Sequence, residues 1–332
     1  MSELSQEPDS GWPPPPFVPP PSPRRAADGV LTYEAVTYAR TFGYRPRLLD
    51  VHVPPAGAPV PAVVWIHGGG WMDGDRRFPP PTVPVDLLFG SILGAGLAVV
   101  TIDYRHSLEA PFPAQLHDVK AAIRYVRRFA DRLGIDAARI GVFGESAGGH
   151  LAAMAALTGT GADPSSDPGS GSTGTDGQLE GDEGVGRGDT TVRCAVDWYG
   201  VSDIVAAASA VPALALAGGA GGAGPELPGV GDPYTALLGA SPADRPDLAA
   251  AASPVGRVPS AVPPFLLVHG TADRLVPYSQ SERLAEHLTG HGGAVELVPV
   301  HGADHIFLGS EEIPSIVARS VDFLARHLTA AG

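Results

Sequence analysis

Cysteine is almost absent from this chain of 332 residues: Cys194 stands alone, so no intramolecular disulfide can form. It sits in Val192-Arg193-Cys194-Ala195-Val196, which reads as a core strand and makes it a small buried hydrophobe. Positive charge is scarce too, with 22 Lys and Arg against 36 Asp and Glu and a net charge of −14. No basic face is therefore expected for nucleic-acid phosphates or anionic lipid, and neither is expected as a partner. No apolar run approaches the roughly 18 residues of a membrane span. Residues 1–30 hold early acids and then a proline run, without the apolar core of an export signal. A soluble, cytoplasmic protein is the expectation.

What is present suits a globular core: 44% of residues are hydrophobic and 17% are charged. Residues 1–30 are expected to form a disordered proline-rich leader, because the Gly11–Pro23 segment favours polyproline II and cannot bury a core. From Leu31 the pattern changes. The stretches 31–41 and 45–53 alternate apolar and polar residues around Gly43, as a hairpin does. Continuous apolar runs at 62–66 and 97–102 predict strands of a sheet covered on both faces. Helical spacing over 114–133 ends at Gly134, a short strand follows at 140–143, and a helix is expected over 147–157. Further strands are expected at 192–196, 265–268 and 295–300, and helices at 279–289 and 314–328. This alternation predicts an α/β domain over 31–332 with a mostly parallel sheet and helices on both faces.

Two stretches interrupt it. Residues 158–191 are rich in Gly, Asp, Ser and Thr, with seven acids against Arg187, and are expected to be a disordered acidic insertion whose removal changes little. Residues 206–231, rich in Ala and Gly, read as a loop near the site.

The sharpest chemical signal is Gly144-Glu145-Ser146-Ala147-Gly148-Gly149, a G-x-S-x-G turn between a strand and a helix, with Ser146 as candidate nucleophile. The second is His67-Gly68-Gly69-Gly70-Trp71. Acyl transfer creates an oxyanion that needs preorganised donors, and glycines let backbone N–H groups reach it. Gly69, Gly70 and Ala147 are the candidate donors. A serine hydroxyl also needs a base and an acid to orient that base, and in this fold they follow in the order serine, acid, histidine. Asp273 and His305 fill those places at strand ends. His301 is the rival base and Asp203 the rival acid, while His67 and His150 read as structural.

Taken with Asp103-Tyr104-Arg105 and His269-Gly270-Thr271-Ala272-Asp273, these motifs resemble the hormone-sensitive-lipase-like α/β-hydrolases. His117-Asp118-Val119-Lys120-Ala121-Ala122-Ile123-Arg124 and Asp197-Trp198-Tyr199-Gly200 look like the small carboxylesterase and feruloyl-esterase-like branch. The resemblance spans roughly residues 31–330. It implies an α/β-hydrolase fold, a cofactor-free and metal-free serine esterase, and a small-molecule ester as the partner. Residue by residue, it implies Ser146 as nucleophile, Asp273 as acid, His305 as base, and Gly69, Gly70 and Ala147 as the oxyanion hole. Glu145 and the Asp103–Arg105 trio would support them. Many relatives carry a helical N-terminal cap; the short proline-rich leader here predicts short acyl or aryl esters over lipids. Amidase, formamidase or peptidase chemistry uses the same triad and stays open, as do a lipase and a non-catalytic binding member of the fold.

Overall fold

A computed structural model describes residues 13–161, 178–210 and 232–330. Nine strands form one sheet in the order β1-β2-β3-β5-β4-β6-β7-β8-β9. Strands β1 (Arg24–Arg25), β2 (Leu31–Ala39), β3 (Arg47–Val53) and β5 (Ala98–Ile102) pair antiparallel in succession. From β5 onward all pairs are parallel: β4 (Val60–Ile66), β6 (Ile135–Glu145), β7 (Ala195–Trp198), β8 (Phe265–Gly270) and β9 (Val295–Val300). Every residue of β4, β5, β7 and β8 is buried, as unbroken apolar runs require when helices cover both faces. Cys194 lies buried just before β7, and burial pushes its thiol up to about 12.

Helices α1 (Val85–Gly94), α2 (Ala114–Arg128), the single turn α3 (Ala130–Leu133) and α4 (Ala147–Thr158) supply the crossovers of the first half. Gly134 closes α3 in the left-handed conformation. The second half adds α5 (Ile204–Ala210), α6 (Pro233–Leu238), α7 (Pro246–Ala251), α8 (Ser279–Gly290) and α9 (Ile313–Thr329). Two hydrophobic layers result, one of them holding β2, α2 and α4 and the other α1 and α9. Residues 206–210 of the expected loop belong to α5, and 211–231 lie outside the described residues.

Parts of both stretches expected to be disordered are among the described residues. Residues 13–30 of the leader are tied to the domain: Phe17 packs on Phe129 at 5.9 Å between ring centres, and Val18 N–H donates to Thr37 O at 2.8 Å. Residues 178–191 of the acidic stretch are anchored as well. Leu179 is buried, and Glu180 accepts from Lys120 Nζ at 2.7 Å and from Arg124 at 3.1 Å. Glu183 accepts from Arg105 at 2.8 Å, and Arg105 also grips Asp118, which Arg47 meets at 3.2 Å from its other side. Cations on and beside α2 neutralise the acids of this segment, which has little apolar area of its own. Residues 1–12 and 162–177 lie outside the described residues.

Candidate active site

Strand β6 runs straight into Ser146, which has φ 52° and ψ −117° ahead of α4. A non-glycine residue at positive φ costs on the order of 1–3 kcal/mol and persists only where its surroundings hold it. Here the Ser146 N–H donates to Trp198 O at 2.8 Å, and the flanking glycines allow close backbone approach. A Cβ on Gly144 would lie 2.1 Å from Gly148 O, and one on Gly148 would lie 2.0 Å from Ile66 O. Any side chain at either position would push the turn open. The strained turn projects the hydroxyl, and Ser146 is partly accessible.

The end of β8 and the end of β9 bring two further side chains to it. His305 Nε2 lies 3.0 Å from Ser146 Oγ, and His305 Nδ1 lies 2.7 Å from Asp273 Oδ2. An ionised carboxylate only accepts, so Nδ1 carries the proton and Nε2 is free to accept from the serine hydroxyl. Asp273 Oδ1 accepts the N–H groups of Leu275 at 2.9 Å and Val276 at 2.8 Å. Burial alone would raise the Asp273 carboxyl, but hydrogen bonds from His269 and His305 outweigh it and hold the group well below the usual carboxylate range. The carboxylate is thus ionised and fixed.

Gly69 and Gly70 lie in the loop after β4 with φ of 104° and 62°, values that glycine adopts without strain. No acceptor for either amide N–H is found among the described residues. Ala147 opens α4, where a first-turn N–H has no partner within the helix. Glu145 ties this loop to the serine turn, since Gly68 N–H donates to its Oε1 at 2.7 Å. Burial raises the Glu145 carboxyl above its usual value. Tyr104 Oη donates to His67 O at 3.0 Å, its ring stacks on His67 at 4.4 Å, and Asp103 holds Arg76 at 3.0 Å.

The competing residues lie elsewhere. Asp203 caps the start of α5 through Ala206 N–H at 3.0 Å and faces Arg283 at 3.5 Å. His301 is exposed on the turn after β9. His150 is buried, accepts from Trp71 Nε1 at 3.1 Å and donates Nε2–H to Ala252 O at 2.7 Å. His67 donates from Nδ1 to its neighbour Gly68 O at 2.8 Å, and burial lowers both imidazoles to about 4.

Sequence reasoning missed a neighbour of His305 and a neighbour of Asp273. The ring of Tyr199, at φ 45°, sits 4.9 Å from the His305 ring and packs on Phe307. His269 Nε2 approaches Asp273 Oδ2 at 3.3 Å. A histidine four residues before the acid was the available signal. Among the described residues, no cluster of three or more His, Cys, Asp or Glu is arranged to hold a metal ion. No helix among them is long and apolar enough to cross a membrane.

A largely parallel sheet, a serine on a strained strand-to-helix turn and a glycine loop beside it define an α/β-hydrolase. The chain belongs to the BD-FAE family, whose model matches residues 49–288. It is similar to esterase LipQ of Mycobacterium tuberculosis (strain ATCC 25618 / H37Rv), with 32% identity over 85% of this chain and 60% of that protein. Esterase LipC of the same strain is 30% identical over 89% of this chain and 65% of its own length. The chain therefore spans about three fifths of the length of such relatives. Among solved structures, a truncated carbohydrate esterase from gut microbiota superposes with a TM-score of 0.71 at 27% identity, covering 92% of this chain and 99% of that one.

Proposed function

We propose that the protein is a serine hydrolase that cleaves carboxylic esters of short acyl or aryl groups through an acyl-enzyme. The observation that carries this reading is the unbroken relay of 2.7 Å and 3.0 Å from Asp273 through His305 to Ser146 Oγ. The names of the relatives, esterases in each case cited, favour ester over amide.

His305 Nε2 takes the Ser146 hydroxyl proton while Oγ bonds to the ester carbonyl carbon, and the carbonyl electrons move onto oxygen. The N–H groups of Gly69, Gly70 and Ala147 receive that oxyanion, each worth about 2.7–4 kcal/mol where such donors have been removed. The C–O bond to the alcohol then breaks, and the departing oxygen takes the proton from His305. Water, deprotonated by His305, attacks the acyl-enzyme by the same route and frees the carboxylic acid. Asp273 stays ionised throughout and holds the imidazole in the tautomer that accepts from serine.

Ser146→Ala tests this. Hydrolysis of p-nitrophenyl acetate is expected to fall to background while the melting curve stays cooperative; retained turnover would remove the reading.

A further inference from the structure

His269 is fully buried at the end of β8, where three polar groups lie within reach of its ring nitrogens. Nε2 lies 2.9 Å from Val276 O, a carbonyl that can only accept, so Nε2 carries the proton. Nδ1 is then an acceptor, and Ser281 Oγ donates to it at 2.7 Å from the first turn of α8. The same nitrogen lies 3.3 Å from Asp273 Oδ2, the oxygen that receives His305 Nδ1–H, so its positive N–H edge borders the carboxylate while its hydrogen bond goes to Val276 O. Tyr278 closes the other side of the ring at 5.7 Å.

We infer that His269 is a positioning residue for the acid of the triad, sharing Asp273 Oδ2 with His305 and thereby limiting how much of the carboxylate's charge the catalytic imidazole receives. The inference rests on the reading of Ser146, His305 and Asp273 proposed above. With Oδ1 held by two backbone amides, Oδ2 is the one oxygen left to interact with histidine, and two imidazoles divide it. A lone His305 would hold its proton more firmly once charged, because an undivided carboxylate stabilises the imidazolium better. The base would then be blocked by protons at higher pH. Other groups facing this pair or His269 are Glu145 at the end of β6, Tyr199 after β7, Tyr234 on α6, Tyr278 beside α8 and the Arg274–Asp304 ion pair. Of these, Tyr199 also meets the His269 ring, edge-on at 6.4 Å.

The experiment is the kcat/KM profile for p-nitrophenyl acetate from about pH 4 to 9 in the whole chain, His269→Phe, His269→Gln and Ser281→Ala. In His269→Phe, Asp273 Oδ2 loses the ring edge that holds it in line with His305, and the looser placement is expected to lower kcat by about tenfold at most, with KM within about twofold. Its acid limb moves up by about half a pH unit, for the reason just given. His269→Gln keeps an N–H donor and returns the limb toward its original place. Ser281→Ala, which loses one hydroxyl and should fold even if His269→Phe does not, moves the limb the same way by less. An unmoved acid limb in every variant that folds, or Phe and Gln behaving alike, overturns the inference and leaves His269 as packing. Turnover that survives Ser146→Ala would sink the triad reading itself; an unmoved limb with Ser146→Ala dead sinks only the role of His269.

Discussion

Asp273 and Asp118 are both buried carboxylates with two strong side-chain partners, yet the partners differ in kind. Asp273 meets His305 and His269, whose protons can leave. Asp118 meets Arg105 at 2.8 Å and Arg47 at 3.2 Å, which stay charged at any pH the protein meets. Around Asp118 the pairing extends to Glu183 on Arg105 and to Glu180 on Lys120, the only lysine of the chain, and on Arg124. In the proposed mechanism the first arrangement keeps a proton mobile while fixing where it moves. The second fastens the segment 178–191 to α2 mainly through permanent cations, with the titratable His117 beside them, 3.5 Å from Glu183. Similar geometry with titratable or permanent partners thus separates a reactive cluster from a clamp.

Breaking each cluster separates the two functions. Asp273→Asn keeps the shape but invites the wrong histidine tautomer, so a loss of about four orders of magnitude in kcat is expected at nearly unchanged melting temperature. Steady-state kinetics beside calorimetry checks it, and near-normal activity would remove Asp273 from the proposed relay. The clamp gives the opposite result. Replacing both Glu180 and Glu183 by Gln withdraws two negative charges from beside Lys120, Arg124 and Arg105, and disrupting buried pairs of this kind costs about 3–5 kcal/mol. A melting temperature lower by on the order of 10 °C is expected, with kcat/KM per folded molecule within about twofold. An unchanged melting temperature would restore the view of this stretch as an idle insertion.

A smaller effect concerns the buried imidazoles that play no part in the relay. His150 is lowered from 6.5 to about 4 by burial, so between those values the unfolded chain binds a proton that the folded chain refuses. Its contribution is fully present above pH 6.5 and falls away as the pH drops, by about 3 kcal/mol once pH 4 is reached. Thermal melts from pH 7 to 4 are expected to decline less steeply in His150→Gln than in the parent. Equal slopes would show that His150 does not carry this dependence.

The Ser146–His305–Asp273 cluster was far more legible in the sequence than the clamp. Ser146, Asp273 and His305 each follow a short apolar run, and the order of the three is a property of the fold, so reading them required no knowledge of contacts. The parallel strands were legible for the same reason, because continuous apolar runs survive only where both faces are covered. Glu180 and Glu183 were not, because their partners lie 60 and 78 residues earlier and no local pattern links them. The helices at 233–238 and 246–251 are short and begin with proline, and they are held by neighbours instead of their own periodicity. His269 stood in plain view four residues before Asp273, but its meaning depended on the tight turn that folds it back.

The most direct test of the account is the covalent intermediate. The protein mixed with a p-nitrophenyl ester and quenched in acid within milliseconds is expected to gain the mass of one acyl group, which peptide fragmentation places on Ser146. The adduct should persist when deacylation is slowed and be absent from Ser146→Ala. An acyl group on another residue, or steady turnover in Ser146→Ala, would contradict it.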